Sequence, residues 1–171
     1  MKAPSAAPGI RTAALEDLPA LLRVYGSARR YMRENGNATQ WAGGYPQPAL
    51  LQEDIALHRL YAVTGGDGQV HGGFMLLTTP DPTYAVIEGG AWRSDTPYAT
   101  IHRIASDGAV RGVFSHAVAF ARERHDHLRI DTFRDNHIMQ KLILAAGFSY
   151  RGIIHLENGD PRLAYDWLAE A

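Results

Sequence analysis

Apolar side chains recur every three or four residues in four stretches of the chain, and this spacing predicts four helices. The first runs from about Glu16 to Glu34, with acidic residues in its first turn and Asn35–Gly36 after its end. Both features are typical of helix termini. The other helices are predicted at about 49–59, at 108–125 and from Asn136 to the glycine at 147.

Segments of alternating or continuous apolar residues between turn residues predict eight strands. They are Ile10–Ala13, RLYAVT, QVHGGFMLLTT, TYAVIEGGAW, YATIHRIAS, Leu128–Thr132, YRGIIHLE and RLAYDWL. The order β-α-α-β-β-β-β-α-β-α-β-β predicts an α/β fold with a mixed, mostly antiparallel sheet and helices on both faces. The stretch from Ala99 to Thr132 should contain two parallel strands joined by a right-handed crossover.

Composition narrows the class of protein. A chain of 171 residues is long enough for one domain, which we place at 10–171 after a flexible N-terminal tail at 1–9. The net charge of −1 gives no general attraction to nucleic acid or acidic membranes. The chain has no cysteine, so disulfides and thiol catalysis are excluded and a cytoplasmic location is favoured. The first residues do not resemble a signal peptide, and no apolar run could span a bilayer.

Ligands of such sheets usually bind beyond the carboxyl ends of parallel strands, here Ala105–Ser106 and Asp131–Thr132. The turn from Asp107 to Gly112 follows the first of these ends and leads into a helix. Free N–H groups at a helix start suit a phosphate or pyrophosphate, and Arg111 adds positive charge. Taken alone, however, a glycine at such a position is usually only a turn.

Two late motifs make the pattern specific. The segment Ala109–Phe114 is similar to the pyrophosphate loop (Gln/Arg)-x-x-Gly-x-(Gly/Ala) of the GNAT superfamily of acyl-CoA-dependent N-acyltransferases; it keeps Gly112 and departs at Ala109 and Phe114. The second GNAT motif is matched by Asn136, Met139, Leu142, Gly147 and Phe148. The segments HRIAS, RIDTxxDNxxMQ and GFxYxGII resemble a bacterial subgroup, and the resemblance covers nearly all of residues 10–168.

The resemblance implies that acetyl-CoA is the cosubstrate. The strands that hold Ile104 and Ile130 would diverge at their carboxyl ends, and the pantetheine arm would pair with the exposed backbone as an additional strand. Asn136 would form a hydrogen bond with that arm. The implied cofactor-binding residues are Ile104, Ala105, Ser106, Arg111, Gly112, Val113, Phe114, Ser115, Asn136 and Met139.

The implied reaction is attack of a primary amine on the thioester carbonyl. A backbone N–H near Ile104 would stabilise the oxyanion, and a base or a water relay must remove the proton of the amine. We consider three catalytic candidates, Glu88, His102 and Asp131, each of which has a plain structural alternative. The superfamily often uses a tyrosine as general acid at the position of Ile143, so that acid is missing here.

For the acceptor pocket, we nominate the aromatic residues Trp41, Tyr45, Trp92 and Tyr98, which lie near Gly and Pro. Packing against the core is the alternative for each. The sequence leaves open whether the acceptor is an amino acid, a polyamine, a drug, a peptide N-terminus or a lysine side chain. It also leaves the oligomeric state open, although a homodimer would be usual for this superfamily.

Two alternatives to this enzyme are a metal site and a non-catalytic sensor. His125–Asp126–His127 at a helix end does not converge on a metal ion, so we expect no metal. A non-catalytic acyl-CoA-binding sensor on the same fold is the main rival, because Phe114 and Ile143 are both compatible with loss of catalysis.

Overall fold

The structure is a computed structural model that describes residues 8–170. These residues divide into two compact units. The first contains the described residues up to Met75 together with Arg103–Ala117, and the second contains Leu76–His102 and the residues from Val118 onward.

The described residues form seven strands and four α-helices, which confirms the predicted mixed α/β class. The strands are β1 (Gly9–Thr12), β2 (Leu60–Thr64), β3 (Val70–Leu77), β4 (Ala99–Ser106), β5 (His127–Thr132), β6 (Ser149–His155) and β7 (Pro161–Leu168). The helices are α1 (Leu18–Glu34), α2 (Pro48–Ala56), α3 (Val113–Arg122) and α4 (His137–Ala145). The sheet order is β1-β2-β3-β4-β5-β7-β6.

In the first unit, β1 pairs with β2 and β2 with β3, both antiparallel. Helix α1 buries Leu21, Val24, Tyr25 and Ala28, which lie on the face that the apolar spacing predicts. A Cβ at Gly73 of β3 would lie 2.8 Å from the side chain of Leu21. The glycine therefore allows α1 to pack closely on β3.

Strand β1 begins at Gly9, the last residue of the predicted N-terminal tail at 1–9. Residues 1–7 of that tail lie outside the described residues, and its flexibility stays a prediction.

In the second unit, β4 and β5 run parallel, as predicted, but their ladder contains only the pairs Ala99–Leu128 and Thr100–Arg129. The whole of β5 pairs with β7 on its other side, and β7 pairs with β6. The ladder between β4 and β5 thus ends after two pairs, well before either strand ends.

The predicted strand TYAVIEGGAW is wrong. This segment contains a 3₁₀ turn at Pro82–Tyr84 and a single bridge between Glu88 and Ile153. In a half-buried strand Tyr84 and Val86 would face the same side, but Tyr84 is 1% exposed and Val86 is 71% exposed. The helix predicted at 108–125 is also shorter, because its first five positions form an irregular turn.

Candidate functional site

The turn after β4 is held by its own side chains. Ser106 Oγ accepts the N–H of Gly108 at 3.0 Å, and Asp107 Oδ1 accepts the N–H of Ala109 at 2.9 Å. Gly108 and Gly112 have φ angles of 85° and 70°, values that side chains other than glycine rarely adopt. The backbone therefore follows a fixed path from β4 into α3.

The N–H groups of positions 113–115 lie in the first turn of α3, ahead of the bond that His116 N–H donates to the Gly112 carbonyl oxygen at 3.0 Å. The side chains of Val113 and Phe114 are buried, whereas Arg111 and Ser115 are exposed. Such a cluster of N–H groups beside an arginine can bind an anion. Phe114, which departs from the motif, is 6% exposed and packs into the core.

His71 of β3 joins this turn to the turn between β2 and β3. Its Nδ1 lies 2.8 Å from Asp107 Oδ2, and its Nε2 lies 3.0 Å from Asp67 Oδ2. The hydrogen bond with Asp107, followed by that with Asp67, raises the pKa of His71 above its ordinary value. A protonated His71 is thus favoured between the two carboxylates.

Arg103, in the middle of β4, has a left-handed φ of 49°, which costs a non-glycine residue about 1–2 kcal/mol. Its guanidinium lies 2.6 Å from the fully buried carboxylate of Asp54 and donates to Tyr45 Oη at 3.1 Å. Its carbonyl oxygen accepts the Tyr25 hydroxyl at 2.6 Å, and Arg59 also pairs with Asp54 at 2.7 Å. These contacts hold an irregular backbone within the strand.

The next residue back along β4, His102, contacts two carboxylates. Its Nε2 lies 2.7 Å from Asp81 Oδ2, and its Nδ1 lies 3.8 Å from Asp131 Oδ2. Burial opposes ionisation of Asp81, but hydrogen bonds from His102 and Thr83 hold its pKa at about 2. Tyr84 Oη donates to Asp131 at 2.7 Å, and burial, together with the charge of Asp131, raises the pKa of Tyr84 well above its ordinary value.

Of the three predicted catalytic residues, the structure brings His102 and Asp131 together and leaves Glu88 apart from them. The Glu88 side chain is exposed, and within residues 8–170 it makes no ion pair or side-chain hydrogen bond. Its predicted setting, a strand beside β4, is absent. Its catalytic role stays a prediction.

Asn136 caps α4. Its Oδ1 accepts the N–H of Met139 at 3.1 Å, as an N-cap residue does. The structure therefore gives Asn136 a local role, and the predicted contact of Asn136 and Met139 with pantetheine stays a prediction.

The nominated aromatic residues have different settings. Trp92 and Tyr98 both pack against Tyr84 and on the Arg129 guanidinium, whose centre is 4.1 Å and 3.9 Å from their ring centroids. These contacts favour the packing role for both. In the first unit, Trp41 lines a cavity beside α1 and lies 6.2 Å from the Tyr45 ring.

Sequence reasoning missed Asp81, Tyr84, Asp54 and Arg103. Asp81 lies between two prolines and was interpreted only as part of a turn, although its side chain accepts the N–H of Thr83 at 2.9 Å, as turn aspartates commonly do. Nothing local indicates its contact with His102, 21 residues away.

In the described part of the chain, no group of three or more acidic or histidine side chains could hold a metal ion. None of the described helices is long and apolar enough to cross a membrane.

The structure is similar to solved acetyltransferases. It matches an acetyltransferase of the GNAT family from Streptococcus agalactiae 2603 with a TM-score of 0.84 and 25% identity, over 97% of this chain and 98% of that one. A GNAT-family acetyltransferase from Listeria monocytogenes 4b F2365 matches with a TM-score of 0.70 and 20% identity, over 94% of each chain. An N-acetyltransferase from Staphylococcus aureus Mu50 matches at 0.58 and 19%, over 96% of this chain and 100% of that one. No protein-family model and no curated protein matches the sequence.

Proposed function

Because the chain belongs to the GNAT superfamily of acetyltransferases, we propose that it transfers the acetyl group of acetyl-CoA to a primary amine by direct attack on the thioester. The observation that carries this proposal is the short ladder between β4 and β5. In the described residues the ladder stops after Thr100, and neither Ile101 nor His102 continues it. The peptide groups of Ile104, Ala105 and Ser106, further along β4, would then bind the amides of a pantetheine arm.

The turn between β4 and α3 would bind the pyrophosphate of CoA. The N–H groups of positions 113–115 lie in the first turn of α3, ahead of the bond from His116 to Gly112, and the exposed Arg111 supplies a positive charge. The buried Phe114 leaves this backbone accessible, since its ring is 6% exposed. The buried side chain of Val113 packs the start of α3 into the core. Gly112 adopts the positive φ angle of the turn.

We assign proton removal from the amine to His102. In the neutral imidazole, Nε2–H donates to Asp81, which leaves Nδ1 as the acceptor. Asp131, whose Oδ2 is 3.8 Å from Nδ1, would attract the ammonium form of the acceptor before it loses its proton. Asp81 is then a positioning residue that fixes the tautomer of His102.

The proposed reaction has two stages, attack of the amine and departure of CoA. The amine nitrogen forms a bond to the carbonyl carbon, His102 takes the proton, and a backbone N–H near Ile104 stabilises the oxyanion. The carbon–sulfur bond then breaks, and CoA leaves as a thiolate that takes up a proton. A thiol of pKa about 8.5 can leave in this way without a dedicated acid, which is consistent with Ile143, at the position of the usual tyrosine, being fully buried.

A liberated-thiol assay with acetyl-CoA and a panel of amines tests this function. We expect thiol release that depends on the amine, and a decrease in kcat of about 100-fold or more in His102→Gln, as for loss of a general base. The Kd for CoA should change little. Glu88→Gln, which removes the carboxylate of the other candidate base, is the control and should keep most of the activity.

Two results would contradict the proposal. Saturable CoA binding with no thiol release from any amine would favour the sensor alternative. Loss of activity in Glu88→Gln, with His102→Gln nearly unaffected, would move the base to Glu88.

A further inference from the structure

A cavity of about 300 Å³ lies between the second half of α1 and the loop at 37–44. All of its lining residues belong to the first unit. This volume is at the lower end of the range for small-molecule sites, so it would suit a small metabolite or part of one.

The lining of this cavity is positively charged. Arg29 and Arg33 project from α1 one helical turn apart, and no aspartate or glutamate lines the cavity. Neither arginine forms an ion pair within residues 8–170, and Arg29 Nη1 donates a hydrogen bond to the carbonyl oxygen of Tyr45 at 3.3 Å. Arg33 lies in the last turn of α1, where the helix dipole favours a cation, but this does not account for Arg29, a full turn earlier.

The loop side of the cavity supplies backbone and an aromatic surface. Gly43 and Gly44 have φ angles of 68° and 79°, and a Cβ built on either would meet nothing within 4 Å. Trp41 covers another part of the cavity. The loop and the two arginines thus line one cavity, and a planar oxyacid is the group that arginine pairs bind with good geometry.

Aromatic side chains link the lining of the cavity to Arg103 of β4. The ring of Trp41 lies 5.8 Å from that of Tyr25, and the Tyr25 hydroxyl donates to the carbonyl oxygen of Arg103. On the other side, Tyr45 contacts Trp41 and accepts a hydrogen bond from the Arg103 side chain. These contacts link the lining of the cavity to Arg103, the residue that precedes Ile104.

We propose that Arg29 and Arg33 bind the carboxylate of the amine acceptor, so that the acceptor is a small amino acid and not a simple amine or a polyamine. This inference rests on the proposed acetyl transfer. It adds that the acceptor must carry an acid group, and that a second positive charge at that end of the molecule is unfavourable.

The test compares acceptors that differ by one carboxylate. Thiol release would be measured for 4-aminobutyrate against butylamine, 6-aminohexanoate against hexylamine, and alanine against ethylamine, with 1,6-diaminohexane as the polyamine. We expect at least one acid to exceed its matched amine by about tenfold or more in kcat/KM, in line with charge-assisted hydrogen bonds. We also expect the diamine to be a poor acceptor.

Variants then assign the preference to the cavity. Arg29→Gln and Arg33→Gln should each raise KM for the preferred acid by about tenfold while the KM for acetyl-CoA and the rate with the matched amine change little. Arg23→Gln and Arg30→Gln, exposed arginines of α1 outside the cavity, are the matched controls and should behave as the wild type.

The outcomes separate this inference from the proposed function. Transfer to amines and acids at equal rates, unaffected by Arg29→Gln, would overturn the inference and leave acetyl transfer in place. Absence of transfer from any acceptor, together with saturable calorimetric binding of an amino acid that Arg29→Gln abolishes, would overturn the proposed function and keep the carboxylate site.

Discussion

At the scale of single residues, His71 makes the stability of the first unit depend on pH. Its imidazole is 18% exposed and bridges Asp107 and Asp67, and its pKa is raised above the usual value of about 6.5. A raised pKa means that the folded state binds the proton more tightly than the unfolded state. The stabilisation is therefore complete below about pH 6.5 and is lost as the pH rises through the raised value.

We expect His71→Gln to be less stable than the wild type at pH 5.5–6, with a difference that shrinks towards pH 8–9. Urea denaturation across this range measures it. His155→Gln is the control, because the side chain of His155 is exposed and makes no ion pair in the described residues. If the difference in stability between His71→Gln and the wild type were constant with pH, the contacts of His71 with the two aspartates would not depend on the charge of the imidazole.

The candidate site could be predicted only in part at this scale. Asp131 could be nominated because it lies at a predicted strand end and His102 because an imidazole suits a general base, and the structure places Asp131 Oδ2 3.8 Å from His102. Asp81 could not be nominated, because its sequence neighbourhood shows only an aspartate between two prolines. That pattern is the same whether the second carboxylate oxygen faces solvent or a histidine. Its Oδ1 binds Thr83, and only the tertiary fold brings Oδ2 to His102.

At the scale of elements, α2 stabilises the irregular part of β4 through one carboxylate. Asp54 is fully buried and pairs with Arg103 and Arg59. Removing one partner of a buried ion pair typically costs about 3–5 kcal/mol, because the remaining charges stay buried without compensation. Asp54→Ala should therefore lower the free energy of unfolding by about 3 kcal/mol or more.

Chemical denaturation of Asp54→Ala beside Glu53→Gln measures this effect. Glu53 is the preceding residue of α2 and is exposed, so its substitution should change the stability by about 0.5 kcal/mol or less. If both variants behaved alike, the ion pair would contribute little to holding β4.

Among the elements, regular helices and strands were predictable and the segment from 80 to 98 was not. Helix α1 was predictable because its buried residues share one face. The segment TYAVIEGGAW has the composition of a strand, but Gly90 packs so closely on β6 that a Cβ would lie 1.9 Å from the carbonyl oxygen of Arg151. Contacts between backbones leave no periodic pattern in the sequence.

At the scale of the whole molecule, binding of CoA should stabilise the folded state. A ligand that binds only the native protein adds RT ln(1 + [L]/Kd), or about 2.7 kcal/mol at 100 times Kd. We expect CoA to raise the melting temperature, and Arg111→Gln to reduce that rise without lowering the melting temperature of the free protein, because Arg111 is exposed. Arg23→Gln, an exposed arginine of α1 outside the residues predicted to bind CoA, should leave the rise unchanged.

An equal rise in the wild type and Arg111→Gln would show that the turn after β4 does not bind the diphosphate of CoA. Thermal melts over a series of CoA concentrations would measure both Kd values together with the stabilities.

The left-handed conformation of Arg103 has a consequence for catalysis. His102, which would take the proton, and Ile104, which would hold the thioester, are its two neighbours in the chain. In the proposed mechanism, the geometry of the reaction would then depend on the backbone of three consecutive residues, including a φ angle that an arginine adopts against its preference. A substitution that lets this angle relax would shift base and electrophile relative to each other, even if every side chain that contacts the substrates were unchanged.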